Sequence, residues 1–209
     1  DVKASGNSSV AIGGDDIEKV GNQYGNLYKS ITGQDMPSGW LSTESSGAGS
    51  TAIGVMTTAS GQFASAFGMT ADASGNGSIA LGPTAKSSGE AGVAIGVESQ
   101  ASAKKTTAVG SVAKATGENA TAIGAWANAD NKNTTAIGSE AQATAEYAQA
   151  MGYQSNASSY QSNASGYQSN ASGIASNAIG WTANATAQDA TAIGSQSKAS
   201  GRASNAVGW

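Results

Sequence analysis

From Ser50 onward one large apolar residue recurs every fourteen positions. Steps of fourteen from Ile53 reach Phe67, Leu81, Ile95, Val109, Ile123, Ile137, Met151, Ser165, Ile179, Ile193 and Val207, and Ser165 is the one polar member. Ala always precedes this column, from Ala52 to Ala206, and Gly always follows it, from Gly54 to Gly208. A fixed period with two unvarying columns indicates a repeat architecture, in which a unit buries its faces by stacking on its neighbours. An all-β solenoid of 14-residue coils is expected.

The columns on either side define the strands. Two before the large residue stand Thr51, Ser65, Ile79, Val93, Thr107, Thr121 and Thr135, then Gln149, Asn163 and Asn177. Their alternation with the Ala column marks a short strand, which Gly ends by allowing a tight turn. Six past the large residue lies a second small-residue run, Ala101, Ala115, Ala129 and Ala143 among its members. Two short strands and two turns per coil predict a parallel β-roll.

Successive side chains of a strand point to opposite faces. If the small faces of both strands turn inward, the interior is thin and filled by Ala, Ser and Gly, and the large column lies outside. A stripe of Ile53, Phe67, Leu81, Ile95, Val109, Ile123, Ile137, Met151, Ile179, Ile193 and Val207 would be a solubility liability on a monomer. It predicts an obligate oligomer whose axis the stripe lines. The alternative places the stripe inside a monomeric roll and leaves an unvarying Ala unexplained on the outside. Gln149, Asn163, Ser165 and Asn177 interrupt the stripe and would form a polar layer at the axis, holding water or an ion between symmetry-related amides.

Residues 1–13 contain a first copy of the unit, Ser9-Val10-Ala11-Ile12-Gly13, with Ile12 lying 41 residues before Ile53. Residues 14–46 break the pattern and are read as an insertion between coils. Within it Ile17, Val20, Tyr24, Leu27, Tyr28 and Ile31 have helical spacing, with Asp16 as a possible N-cap. Gly21 and Gly25 each weaken such a helix by about 1 kcal/mol, which keeps a hairpin or irregular flap open. Residues 47–209 form the continuous roll of about twelve repeats.

Composition narrows the function. Aromatics are 6%, charged residues 11% and the net charge −4, so there is no basic stripe for nucleic acid and no polybasic patch for a membrane surface. The chain has neither His nor Cys, which removes common metal ligands, nucleophiles and any disulfide framework. No carboxylate pair, phosphate-cradling loop or EF-hand spacing stands out, Asp15, Asp16 and Glu18 included. No catalysis, no cofactor and no bound metal are expected. No run is long enough for a transmembrane helix, so direct membrane insertion is not expected; the start at Asp1 lacks a signal-peptide pattern, so if the protein is exported, this is an excised piece of it.

Ser9-Val10-Ala11-Ile12-Gly13, Gly92-Val93-Ala94-Ile95-Gly96 and the Thr-Ala-Ile-Gly copies resemble the repeats of YadA-like heads of trimeric autotransporter adhesins. Gly13-Gly14-Asp15-Asp16 leading into an insert also resembles the head insertions of that family. The resemblance covers about 160 of the 209 residues. It implies a homotrimer of left-handed parallel β-rolls exposed at a bacterial cell surface, carried by a stalk and an outer-membrane anchor that this fragment lacks. Host extracellular-matrix proteins, cell surfaces or abiotic surfaces are the partners it implies.

Two further patterns lie on outward columns. Glu90, Lys104, Glu118, Lys132 and Glu146 alternate in sign down one column, as expected of a solvated edge that favours correct register. Tyr153, Tyr167 and Trp181 share another, with Tyr160 on the other side of its coil, inside a Tyr-Gln-Ser-Asn-Ala-Ser motif that repeats at spacing seven. These four, with Trp40 of the insertion, are the candidate ligand contacts, since rigid aromatics serve as interface anchors. A turn ladder covering the roll edge, or a contact between subunits, would use the same residues. A structural spacer of a surface or phage fibre and an ice-binding solenoid are the alternative functions, the latter disfavoured because each first strand carries a single Thr.

Overall fold

The computed structural model describes residues 2–14, 17–37 and 41–209. Apart from one helix the chain is an all-β parallel solenoid of 14-residue coils, as the pattern predicts. It divides into two compact units, Asp1–Ser102 and Ala103–Trp209.

In the first unit, each coil from Ser50 onward contributes a three-residue strand, such as Thr51–Ile53 or Val93–Ile95, and a two-residue strand, such as Thr58–Ala59 or Gln100–Ala101. Three-residue strands pair in parallel with those of adjacent coils, Ala52 against Ala66 and Ile53 against Phe67. Two-residue strands form a second parallel sheet, Ala59 against Ala73. Ile12 sits in register with Ile53 although it lies 41 positions earlier, because the second strand of that coil, Thr43–Ser45, pairs back with Val2–Ala4. The insertion therefore replaces one turn without disturbing the stack.

Within the insertion, Ile17–Thr32 is helical, which decides between the helix and the flap. Ile17 and Tyr28 are buried, and the Tyr28 hydroxyl lies 3.3 Å from Thr70 Oγ1 of the roll. Gly33 ends the helix with φ of 70°, its N–H donating to the Lys29 carbonyl at 2.8 Å, the left-handed cap that glycine supplies without Cβ strain. Tyr24, Leu27 and Ile31 remain exposed and, with Val20, Met69 and Pro83, line an apolar groove of about 240 Å³.

The second unit repeats the plan without interruption, from Thr107–Val109 to Asn205–Val207 in one sheet and from Lys114–Ala115 to Lys198–Ala199 in the other. Every Ala preceding the large column is fully buried here up to Ala192, as is the facing column from Ala115 to Ala185. The interior is thus one methyl group deep from each sheet. At several corners where Ser or Thr replaces Ala the hydroxyl donates to the carbonyl three residues earlier, Ser155 to Gly152 at 2.9 Å and Thr134 to Asn131 at 2.6 Å, whereas the Ser176 hydroxyl is buried without a partner. Such a bond satisfies a buried polar group and closes the turn.

The unvarying Gly follows from the same closeness. Gly124 has φ of 130°, a region open to glycine, and a Cβ placed on it would lie 2.5 Å from the Gly138 carbonyl oxygen of the next coil. Two residues later Trp126, with φ of 62°, occupies the left-handed region, as does Asn133 at 55° seven residues on. Both turns of a coil therefore carry such a residue. Each is held by its backbone N–H, which donates to the preceding coil, Trp126 to Ser111 and Asn133 to Glu118, both at 2.9 Å.

Gly124→Ala should lower unfolding free energy by at least about 2 kcal/mol, since both backbone strain and a steric overlap oppose it. Chemical denaturation measures it; a loss below about 0.5 kcal/mol would show that neighbouring coils shift freely to admit a methyl group.

Candidate functional site

The large column points outward. Ile123, Ile137, Ile179 and Ile193 are each 39–41% exposed, and Val109 and Met151 are half-buried. In the first unit Ile53, Phe67 and Ile95 are half-buried and Leu81 is exposed. With the Thr and Asn residues two positions earlier, this column forms the outer surface of the three-residue-strand sheet.

Gln149, Asn163, Ser165 and Asn177 interrupt that surface. Asn163 Oδ1 is buried with no hydrogen-bond partner. The cause of the interruption is visible in the coil. Tyr160-Gln-Ser-Asn-Ala-Ser165 repeats Tyr153-Gln-Ser-Asn-Ala-Ser158 at spacing seven, and the strand Asn163–Ser165 thereby carries the chemistry of the strand Asn156–Ala157.

The aromatic residues gather at two turns. Tyr153 and Tyr167 stack with ring centroids 5.4 Å apart, and Tyr167 continues onto Trp181 at 6.2 Å. Tyr160 lies elsewhere, edge-on to Tyr147 at 5.8 Å; Tyr147 was not singled out from the sequence because it sits one position off the column of Tyr160. All five are 41–49% exposed. Trp40, and the Asp15 and Asp16 of the insertion, lie outside the described residues, as does the side chain of Glu18.

Beside the aromatic stack runs a chain of amides. Gln168 Nε2 donates to Gln154 Oε1 at 2.7 Å, and Gln154 Nε2 donates to Glu140 Oε2 at 2.8 Å. A second column follows the neighbouring strand, Asn156 Nδ2 to Asn170 Oδ1 at 3.2 Å and Asn170 Nδ2 to Asn184 Oδ1 at 3.0 Å. The Tyr153 phenol is held above its ordinary ionisation range, foremost because its phenolate would face the Glu140 carboxylate; desolvation, Tyr167 and a hydrogen bond to Glu140 add to this. Of the alternating charges, Glu118 and Lys132 pair at 3.7 Å with both side chains about half exposed, a contact of little energetic weight. Among the described residues there is no cluster of His, Cys, Asp and Glu able to hold a metal ion, and no helix long and apolar enough to cross a membrane.

Residues 3–15, 45–71, 73–99, 87–113, 101–127, 115–141, 129–155 and 185–209 match the family described as YadA head domain repeat (2 copies). The chain belongs to the YadA head-repeat family. This is an adhesin module, and the β-roll is its fold. Among solved structures, the crystal structure of the collagen-binding domain of the Yersinia adhesin YadA is similar, with 30% identity over 66% of this chain and 70% of that one and a TM-score of 0.49. Comparison with curated proteins gives no match. The stretches of this YadA-type head that fall between the family matches, 16–44 and 156–184, contain the helix and most of the aromatic and amide columns.

Ionisation followed by tyrosine absorbance should show the Tyr153 phenol titrating above the ordinary tyrosine value near pH 10, and Glu140→Gln should bring it down. Because phenol is the form favoured by the fold, any linked stability is present below pH 10 and declines as pH rises beyond it. A titration unchanged by the substitution would dissociate Glu140 from Tyr153.

Proposed function

We propose that this chain is the head of an adhesin exposed at a bacterial surface, acting as a homotrimer and attaching to host matrix proteins, cells or abiotic surfaces by multivalent, non-catalytic contact. The observation that carries this reading is the outward apolar column on an adhesin fold. Each large residue withdrawn from water contributes roughly 1.5–3 kcal/mol before ordering costs, and the column supplies one per coil. Three copies turning this face to a common axis would cover it. Asn163 Oδ1, unpartnered within its own chain, would there meet water, an ion or an amide of another copy.

In this arrangement the turns carrying Tyr153, Tyr160, Tyr167 and Trp181 lie off the face that the copies share and form the contact strip; Trp40 belongs to the same proposal. Weak contacts suffice, because three copies and repeated coils raise the effective concentration of each successive contact. The Yersinia protein is described as binding collagen, which puts collagen first in a panel of matrix proteins.

Solution mass should be three times 20.3 kDa. Replacing both Ile123 and Ile137 by Lys should shift the population to monomer by setting like charges against each other at the axis. A monomeric unmodified chain would overturn the trimer.

Adhesion to collagen, fibronectin, laminin and bare polystyrene should fall several-fold in Tyr153→Ser/Tyr167→Ser, with the mass unchanged. Undiminished adhesion would remove the aromatic strip from the contact.

A further inference from the structure

Next to the aromatic strip lies a groove that the sequence pattern did not single out. Two adjoining recesses of about 290 and 330 Å³ share Glu140 and Gln142; one is completed by Gln154, Ser155 and Asn156, the other by Trp126. Trp126 and Glu140 occupy one column on successive coils, about 4.8 Å apart by sheet spacing. Trp126 is 62% exposed and so presents its indole to solvent beside the carboxylate.

We infer that this groove takes an arginine side chain of the polypeptide to which the head attaches, an assignment that rests on the adhesin reading above. The lining sets one carboxylate beside an exposed indole and holds no other formal charge. Gln168 and Gln154 spend side-chain donors along the chain that ends on Glu140 Oε2, and Asn156 donates to Asn170. Glu140, which also accepts from the Tyr153 phenol, carries the one formal charge of the lining, and Asn156 Oδ1 and the carbonyl of the exposed Gln142 amide add acceptors beside the remaining amide N–H groups. A guanidinium carries five donors and no acceptor, binds carboxylate through paired N–H groups and stacks on an indole face. Lys offers a compact, strongly hydrated charge that neither forks nor stacks as well. A neutral saccharide would leave the Glu140 charge unmatched. A phosphate or sulfate would meet the Glu140 carboxylate, with no Lys or Arg among the lining residues.

Both diagnostic substitutions use residues already native to this column. Glu140→Gln and Trp126→Gln each install the side chain found at Gln154 and Gln168, where the backbone has the same left-handed φ, so the roll is expected to fold unchanged. The intact chain, isotopically labelled, is titrated with capped arginine, capped citrulline, capped lysine and a neutral oligosaccharide while the Trp126 indole and Gln142 amide signals are followed. Arginine should shift both saturably, citrulline should not, lysine should bind several-fold more weakly, and either substitution should weaken arginine at least tenfold. Equal responses to arginine and citrulline, a response to the oligosaccharide alone, or no response to arginine would each overturn the assignment. A chain that adheres yet ignores arginine loses this groove alone, whereas one that binds arginine without adhering loses the adhesin reading.

Discussion

Between successive coils the backbone of one glycine column approaches so closely that the Gly138 carbonyl oxygen stands 2.5 Å from where a Cβ of Gly124 would be. The approach recurs within each unit, from Gly54 against Gly68 to Gly82 against Gly96 in the first and from Gly110 against Gly124 to Gly194 against Gly208 in the second. It sets the sharpness of the turn, which brings the two sheets so near that each points only Ala or Ser inward from its regular columns. A chain built this way has little apolar volume inside. Its internal cohesion comes chiefly from backbone hydrogen bonds between coils and from hydroxyls that close the corners, with the larger apolar surface displaced to the outer face.

On the proposed function, this displacement separates scaffold from binding. Outside the stretch from Gln149 to Asn177 the face bearing Ile123 and Ile137 repeats from coil to coil, and in the proposed trimer it would meet a partner that repeats in the same way. The turns and the two-residue-strand face are under no such constraint beyond backbone conformation, so they can carry Tyr, Trp, Gln, Glu or Lys without altering the coil. Side-chain ladders then arise automatically, because a residue type repeated at fourteen positions is stacked on itself by the parallel register.

Much of this was legible in the sequence for a simple reason: a column fixed by backbone geometry cannot vary. Ala122 facing inward, Gly124 at the turn and Ile123 outward all followed from period and alternation. The helix Ile17–Thr32 was legible as spacing but not as a decision, because Gly21 and Gly25 weigh against it and its packing on Thr70 is a long-range contact. The recess at Trp126 and Glu140 was not legible at all. These two residues are fourteen apart and differ in type, and their shared surroundings include Gln154 and Asn156 from a further coil. No column repeats that combination.

The seven-residue repetition at Tyr153, Tyr160 and Tyr167 has a consequence for folding fidelity. Both turns of every coil use a left-handed residue at the same spacing, so in this stretch a chain displaced by half a coil would still find acceptable corners, small inward residues and amide neighbours. The local pattern is nearly degenerate between the two sheets. What resolves it is the flanking coils, where Met151 and Ile179 belong on one sheet and would be misplaced on the other. Correct threading of the polar segment is thus imposed from its ends, and the apolar residues bordering it act as register markers for the stretch between them.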